Sequence, residues 1–131
     1  MAENGIRALT EKDRLFIDIL QSLGVRRQEV VLIVWLNGSG PVSSKEIEQG
    51  TGLKQSDVSK ILKLIRENGW LDILKTNNLA RDRPKNLYSL SASLNEVVRH
   101  YEQKMLNESA LAMGSIQRLR NWHQPKFGDT V

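Results

Sequence analysis

The stretch from Pro41 to Leu90 constrains the fold of this 131-residue chain more than any other part of it. Its first half contains two short segments in which apolar residues recur at helical spacing. Ser43 and Glu46 form a Ser-x-x-Glu capping box for the first segment, and Gly50-Thr51-Gly52 supplies the turn behind it. The second segment runs from about Gln55 to Asn68, just before a glycine. This half therefore predicts two helices joined by a tight turn.

A hairpin is predicted to follow these helices. Trp70-Leu71-Asp72-Ile73 is typical of a strand, and Thr76-Asn77-Asn78 has the residues of a turn. Lys85 to Leu90 alternates polar and apolar residues as a half-buried strand does, and Pro84 belongs at its start because it cannot donate to a ladder. The order helix, turn, helix, hairpin predicts a winged helix-turn-helix, a fold that usually binds double-stranded DNA.

Two helices are predicted before this region. Thr10 is the N-cap of the first, with Asp13 as a short-armed variant of the capping box. The second runs from about Arg26 to Asn37 and is apolar nearly all round, which is typical of a buried helix. Its β-branched residues also suit a strand, but the Asn37-Gly38 stop favours a helix. In the first of these two helices, the apolar residues at helical spacing are Leu15, Phe16, Ile19, Leu20 and Leu23.

A last helix is predicted from Ser93, with Glu96 completing a capping box, to about Trp122. Its apolar residues approach the alternation of a coiled-coil seam, which Glu108-Ser109 interrupts. A small domain cannot cover so long a helix, so a second copy of the chain is its simplest cover; packing on the first two helices of its own chain is the alternative. The predicted dimer interface consists of Leu94, Val98, Tyr101, Met105, Ala112 and Leu119.

We therefore predict a mainly α fold with a small β wing, organised in three parts. Residues 1–92 form a winged helix-turn-helix DNA-binding domain with N-terminal helices. Residues 93–122 form a long C-terminal dimerisation helix, and residues 123–131 form a flexible tail.

The helix from Gln55 has the two faces that a recognition helix in the major groove requires. Val58, Ile61, Leu62 and Ile65 form its buried stripe. Short polar groups in its first turn suit base edges, and its lysines suit phosphate. The alternative is an ordinary amphipathic helix. The position of this helix between a capped helix and a basic hairpin argues against that alternative. The predicted DNA-binding face consists of Lys54, Gln55, Ser56, Asp57, Ser59, Lys60 and Lys63.

Basic residues also dominate the predicted wing, which has four of them between positions 75 and 85 and a single acid, Asp82. An arginine on a protruding loop can enter the minor groove, where the negative potential is greatest. A solvated hairpin whose charges only ensure solubility is the alternative. The residues predicted to bind DNA from the wing are Lys75, Arg81, Arg83 and Lys85.

Composition narrows the class of protein further. The net charge is +4 with a pI near 9.6, which favours a polyanionic partner. There is no cysteine, and the two histidines are far apart, so we expect no metal and no cofactor. No apolar run reaches membrane-spanning length, and Met1–Asn4 does not begin a secretory signal, so a cytoplasmic location and no membrane partner are expected.

Other functions are less well supported. We expect no enzyme, because no catalytic constellation is visible and Gly38-Ser39-Gly40 lacks the Lys-Ser/Thr of a P-loop. RNA binding needs more exposed aromatic residues. A protein-interaction winged helix of transcription or chromosome machinery is the main alternative, although such modules often lack a basic recognition face. Tyr101, Met105 and Met113 can also line a small-molecule pocket, but such residues are more often core, and no effector is supported.

Val42–Leu90 resembles the winged helix-turn-helix regulators of the MarR, ArsR and TrmB-like groups. The run from Arg83 to Leu90, RPKNLYSL, looks most like the wing of archaeal TrmB-like regulators, where an Arg-Pro pair precedes a Tyr-x-Leu strand. The match covers roughly residues 10–105. The chain lacks the metal ligands of ArsR sensors and the sugar-binding domain of full TrmB proteins, and it shows one long helix after the wing where MarR proteins have two. The resemblance implies a dimeric DNA-binding transcription regulator.

Overall fold

The computed structural model describes residues 6–76 and 85–123, and over these ranges the protein is a winged helix: mainly α with a small β wing, as predicted. The helices are α1 (Glu11–Ser22), α2 (Arg27–Asn37), α3 (Ser44–Thr51), α4 (Gln55–Glu67) and α5 (Leu94–His123). The wing is a hairpin of β1 (Leu71–Thr76) and β2 (Lys85–Leu90). The preference for a helix over a strand in α2 is confirmed.

Two helices begin with the capping boxes that the sequence predicts. The Thr10 hydroxyl accepts from the Asp13 N–H at 3.1 Å, and the Asp13 carboxylate accepts from the Thr10 N–H at 2.9 Å. Ser43 and Glu46 repeat this arrangement before α3, at 3.2 and 2.8 Å. The turn after α3 is shorter than predicted, because the helix continues through Thr51 and ends at Gly52, whose φ of +76° favours glycine.

The core is built around α2, in which every residue from Val30 to Leu36 is buried. Trp35 is fully buried, and Gly50 of α3 lies so close to its indole ring that a Cβ at position 50 would collide with the ring. Ile47 of α3 and the predicted stripe of α4 are buried, whereas Leu71 and Leu87 of the hairpin are half-buried. The apolar pattern of α1 is divided, because Ile17 and Leu20 are buried whereas three other residues are exposed, namely Leu15, Ile19 and Leu23.

Arg7 fastens the segment before α1 to the end of α2, which the sequence did not reveal. Its guanidinium donates to the carbonyls of Trp35 at 3.1 Å and Val34 at 2.6 Å, and it forms an ion pair with Asp13 at 2.7 Å. The Trp35 indole donates back to the Arg7 carbonyl at 2.9 Å. Partial burial raises the pKa of Asp13, but the hydrogen bonds from Thr10 and Arg7 outweigh this effect and hold the pKa below its ordinary value.

The hairpin is antiparallel, with Leu71 opposite Leu90 and Thr76 opposite Lys85. β1 extends three residues beyond the predicted Ile73, and Trp70 is buried just before the strand begins. Val42 exchanges two backbone hydrogen bonds with Tyr88, at 3.0 and 2.7 Å, so the approach to α3 is attached to β2. The predicted turn at Asn77-Asn78 and the predicted position of Pro84 lie outside the described residues.

The chain divides into two compact units, Met1–Asn95 and Glu96–Val131, and the second contains all but the first two residues of α5. The predicted extent of this helix is confirmed. Val97 and Tyr101 are buried, whereas Leu106 and the large apolar residues beyond it are exposed. Within the described ranges, no helix is long and apolar enough to cross a bilayer.

Candidate nucleic-acid interface

Helix α4 presents one apolar face to the core and one polar face to solvent. The predicted buried stripe is confirmed, since Val58, Ile61, Leu62 and Ile65 are all buried. On the other face Asp57 is half-buried, in the first helical turn, where a carboxylate interacts favourably with the helix dipole. The remaining predicted residues on this face are exposed, namely Lys54, Gln55, Ser56, Ser59, Lys60 and Lys63.

A groove of about 310 Å³ separates α4 from the hairpin. Ser59 and Lys63 contribute to it from α4, and Asn86 faces them from β2. Part of its surface is apolar, because Leu62, Leu71 and Ile73 also line it. The packing of the hairpin beside α4 therefore brings polar groups from two elements to one surface.

A second groove, of about 650 Å³, lies between the first turn of α3 and β2. Ser43 and Lys45 line it on one side, and Lys85 lines it on the other. Ser44, Asn86 and Tyr88 line both grooves, so the two grooves are adjacent. We call this surface, from Lys45 across Asn86 to Lys63, the wing furrow.

Positive charge dominates the wing furrow. Among the described residues that line it, Lys45, Lys63, Arg66 and Lys85 are basic, and Glu46 is the one acid. The carboxylate of Glu46 already accepts a hydrogen bond from the Ser43 N–H. Such a surface, with hydroxyl and amide donors between the cations, can hold the phosphates of a polyanion.

The structure brings only part of the predicted site together. Ser59, Lys63 and Lys85 line the wing furrow. Other predicted residues are exposed but do not line it, namely Lys54, Gln55, Ser56, Lys60 and Lys75. Arg81 and Arg83, predicted near the tip of the wing, lie outside the described residues.

Sequence reasoning missed several residues of this surface, among them Ser44, Lys45, Arg66 and Asn86. Arg66 follows Ser59 and Lys63 at helical spacing, so periodicity was a signal for it. Ser44 and Lys45 directly follow the N-cap of α3, a position open to solvent. Asn86 had no signal in the sequence, because only the strand register places it between α3 and α4.

No protein-family model matches the chain, and no curated protein matches it significantly. Among solved structures, the fold is similar to that of the multiple antibiotic resistance repressor MarR, with a TM-score of 0.50 and 18% identity over 88% of each chain. A MarR family regulator from Neisseria meningitidis gives a TM-score of 0.47 and 18% identity over 82% of each chain. FabT of Streptococcus pneumoniae in complex with DNA gives 0.45 and 12% identity, over 85% of this chain and 87% of FabT.

These structures are similar to this chain in fold. The winged helix that the sequence predicts is confirmed by the likeness to MarR, and so is the predicted resemblance to MarR-like regulators at the level of the fold. The more specific likeness of the wing to TrmB-like regulators stays a prediction.

Proposed function

We propose that this protein is a sequence-specific, double-stranded DNA-binding transcription regulator that acts as a homodimer. The observation that carries the proposal is the exposed polar face of α4, which runs directly into the basic wing furrow. A helix that packs on the core along one side and stands beside a groove of cations has the shape and charge to enter the major groove. The winged helix that it shares with MarR supports the same function.

Within this proposal, α4 reads bases and the wing furrow holds the backbone. Gln55 and Ser56, in the exposed first turn, face the base edges, and Ser59 follows one turn later. A glutamine side chain can bond to adenine through two atoms, so Gln55 is the strongest candidate for base readout. Lys60 and Lys63 act on phosphates, for which a flexible point charge is sufficient.

The wing and the first turn of α3 extend the contact along the backbone. Lys85 and Lys45 face one another across the larger groove and can hold phosphates on the same strand. Lys75 is exposed on β1, opposite Asn86. Arg81 and Arg83 complete the proposed wing contact on the basis of the sequence alone.

The homodimer is proposed from the exposed apolar residues of α5. Leu106, Met113, Ile116 and Leu119 all lie exposed along one side of the helix, and monomers rarely leave such contiguous apolar surface uncovered. Tyr101 is only 5% exposed and can offer little surface to a partner, so the residues beyond it supply most of the interface. Covering one large apolar side chain contributes roughly 1.5–3 kcal/mol, so several together can hold a dimer.

Duplex binding at low salt, and its loss as salt rises, tests the proposed function. Contacts to about six phosphates per protomer release counterions, so affinity is expected to fall by several decades between low and moderate salt. Fluorescence anisotropy with a pool of labelled genomic duplexes measures this directly. If no duplex binds even at low salt, DNA binding is wrong and a protein-interaction module is favoured.

Gln55→Ala is expected to change the preferred base sequence, whereas Lys85→Ala is expected to weaken binding to all sequences alike. The two differ because a side chain at a base edge carries sequence information and a phosphate contact does not. Selection of duplexes from a random pool with the parent and each variant provides the comparison. An unchanged preferred site for Gln55→Ala would remove Gln55 from base readout.

A further inference from the structure

The two halves of α5 differ in charge. Residues 94–108 contain three glutamates, one arginine and one lysine, which give a net charge of −1. Residues 109–123 contain Arg118 and Arg120 and no acid, which gives a net charge of +2 with His123 neutral. In a parallel pair the two cationic halves would lie side by side. An antiparallel pair places each cationic half against the acidic half of the other helix.

Glu102 and Arg120 are the strongest pair of opposite charges for such an arrangement. They are eighteen residues apart, about five helical turns, so they lie on the same side of α5. In an antiparallel pair, residues on the same flank of the two helices face each other. Glu102 therefore meets Arg120 of the partner subunit if the helices cross midway between them, near Leu111.

The residues around Leu111 allow the helices to approach closely there. Ser109 and Ala112, which lie on the seam side of the helix, carry small side chains. Larger exposed side chains flank this small centre, with Leu106 before it and Ile116 and Leu119 after it. In an antiparallel pair the large residues of one half lie beside those of the other half, and the small centres coincide.

Both members of the proposed pair, Glu102 and Arg120, are exposed and so can pair between subunits.

We propose that two copies of this chain pair through antiparallel α5 helices that cross near Leu111, with each Glu102 opposite Arg120 of the partner subunit. The proposal rests on the homodimer in the proposed function and specifies the orientation of its helices. The exposed face of α5 is thus covered by α5 of a second copy. A second copy fits because the charges of two α5 helices are complementary only when the helices run in opposite directions.

Single cysteines test the orientation, because the natural chain has none. Under the proposal, positions 102 of the two chains are about 27 Å apart along the helix axis, as are positions 120, whereas 102 and 120 are level. Glu102→Cys and Arg120→Cys should therefore not cross-link alone with a short thiol-specific reagent. Their mixture should cross-link at least roughly tenfold more. Ala112→Cys, near the crossing, should cross-link with itself.

Gln103→Cys is the matched control, because it neighbours Glu102 but is turned about 100° around the helix, away from the seam. It should not cross-link alone or with Arg120→Cys. Self-cross-linking of Glu102→Cys and of Arg120→Cys would show a parallel pair, and no cross-link from any variant would show that α5 does not pair. Either result overturns the proposal. Anisotropy of the unmodified parent with duplex DNA tests the proposed function separately, so failure of one is distinguishable from failure of the other.

Discussion

The double variant Lys60→Glu/Lys63→Glu is expected to bind duplex DNA roughly a hundredfold more weakly than the parent at moderate salt. Both lysines lie exposed on α4, and Lys63 also lines the wing furrow. Each replacement removes a phosphate contact and puts a like charge against the backbone. Fluorescence anisotropy over a series of salt concentrations measures both the affinity and the salt slope, and the slope should become shallower.

A matched control separates this local effect from the effect of net charge. Lys12 and Arg14 are exposed in α1, away from the wing furrow, and Lys12→Glu/Arg14→Glu changes the net charge by the same amount. Long-range attraction alone would weaken both variants alike. We expect the α1 variant to lose affinity by no more than about threefold at moderate salt, because screening there reduces distant charges. Equal losses in the two variants would contradict a binding surface on α4.

Gly50→Ala is expected to lower the free energy of unfolding by about 3 kcal/mol, near the upper end of the range for overpacking a rigid core. A Cβ at this position would collide with the Trp35 indole. That ring has little freedom to move, because it is fully buried and its N–H is held by the Arg7 carbonyl. Relief would require α3 to shift away from α2, which would also displace the side of the wing furrow that α3 forms. Urea denaturation followed by circular dichroism measures the change.

Gly40→Ala is the control for this prediction. Nothing lies within 4 Å of a Cβ at position 40, and the backbone there is not in the left-handed region. Alanine in place of glycine then mainly reduces the freedom of the unfolded chain, so the free energy of unfolding should be unchanged or higher by up to about 1 kcal/mol. All variants must be compared at one protein concentration, because the stability of a dimer depends on it. A Gly50→Ala protein within about 0.5 kcal/mol of the parent would contradict the close contact with Trp35.

Local signals explain why the helices could be predicted well. A capping box needs only two side chains three residues apart, so the pairs Thr10 with Asp13 and Ser43 with Glu46 can be identified from the sequence alone. The buried stripe of α4 follows from helical spacing. The end of β1 was predicted less well, because Leu74 to Thr76 owe their strand structure to pairing with β2 rather than to their own pattern.

The candidate site also has one part that local sequence signals predict and one part that they do not. Its α4 half could be predicted, because the apolar stripe of a helix also identifies the opposite, exposed face. Its other half could not, because only the bridge between Val42 and Tyr88 and the register of the hairpin bring Asn86 to the same groove as Lys45. The bridge joins residues far apart in the sequence, and no local pattern records it.

The sequence by itself determined the order of the elements, the exposed face of α4, and the basic character of the surface, because caps, periodicity and charge are properties of short segments. Only the tertiary structure decided which charges share the wing furrow, that Arg7 holds the end of α2, and that Gly50 must lack a side chain. It also decided which apolar residues stay exposed: Tyr101 and Leu119 belong to the same predicted stripe, yet only Leu119 is left uncovered. Burial and contact between distant residues depend on how whole elements pack, and that information appears only when the chain is folded.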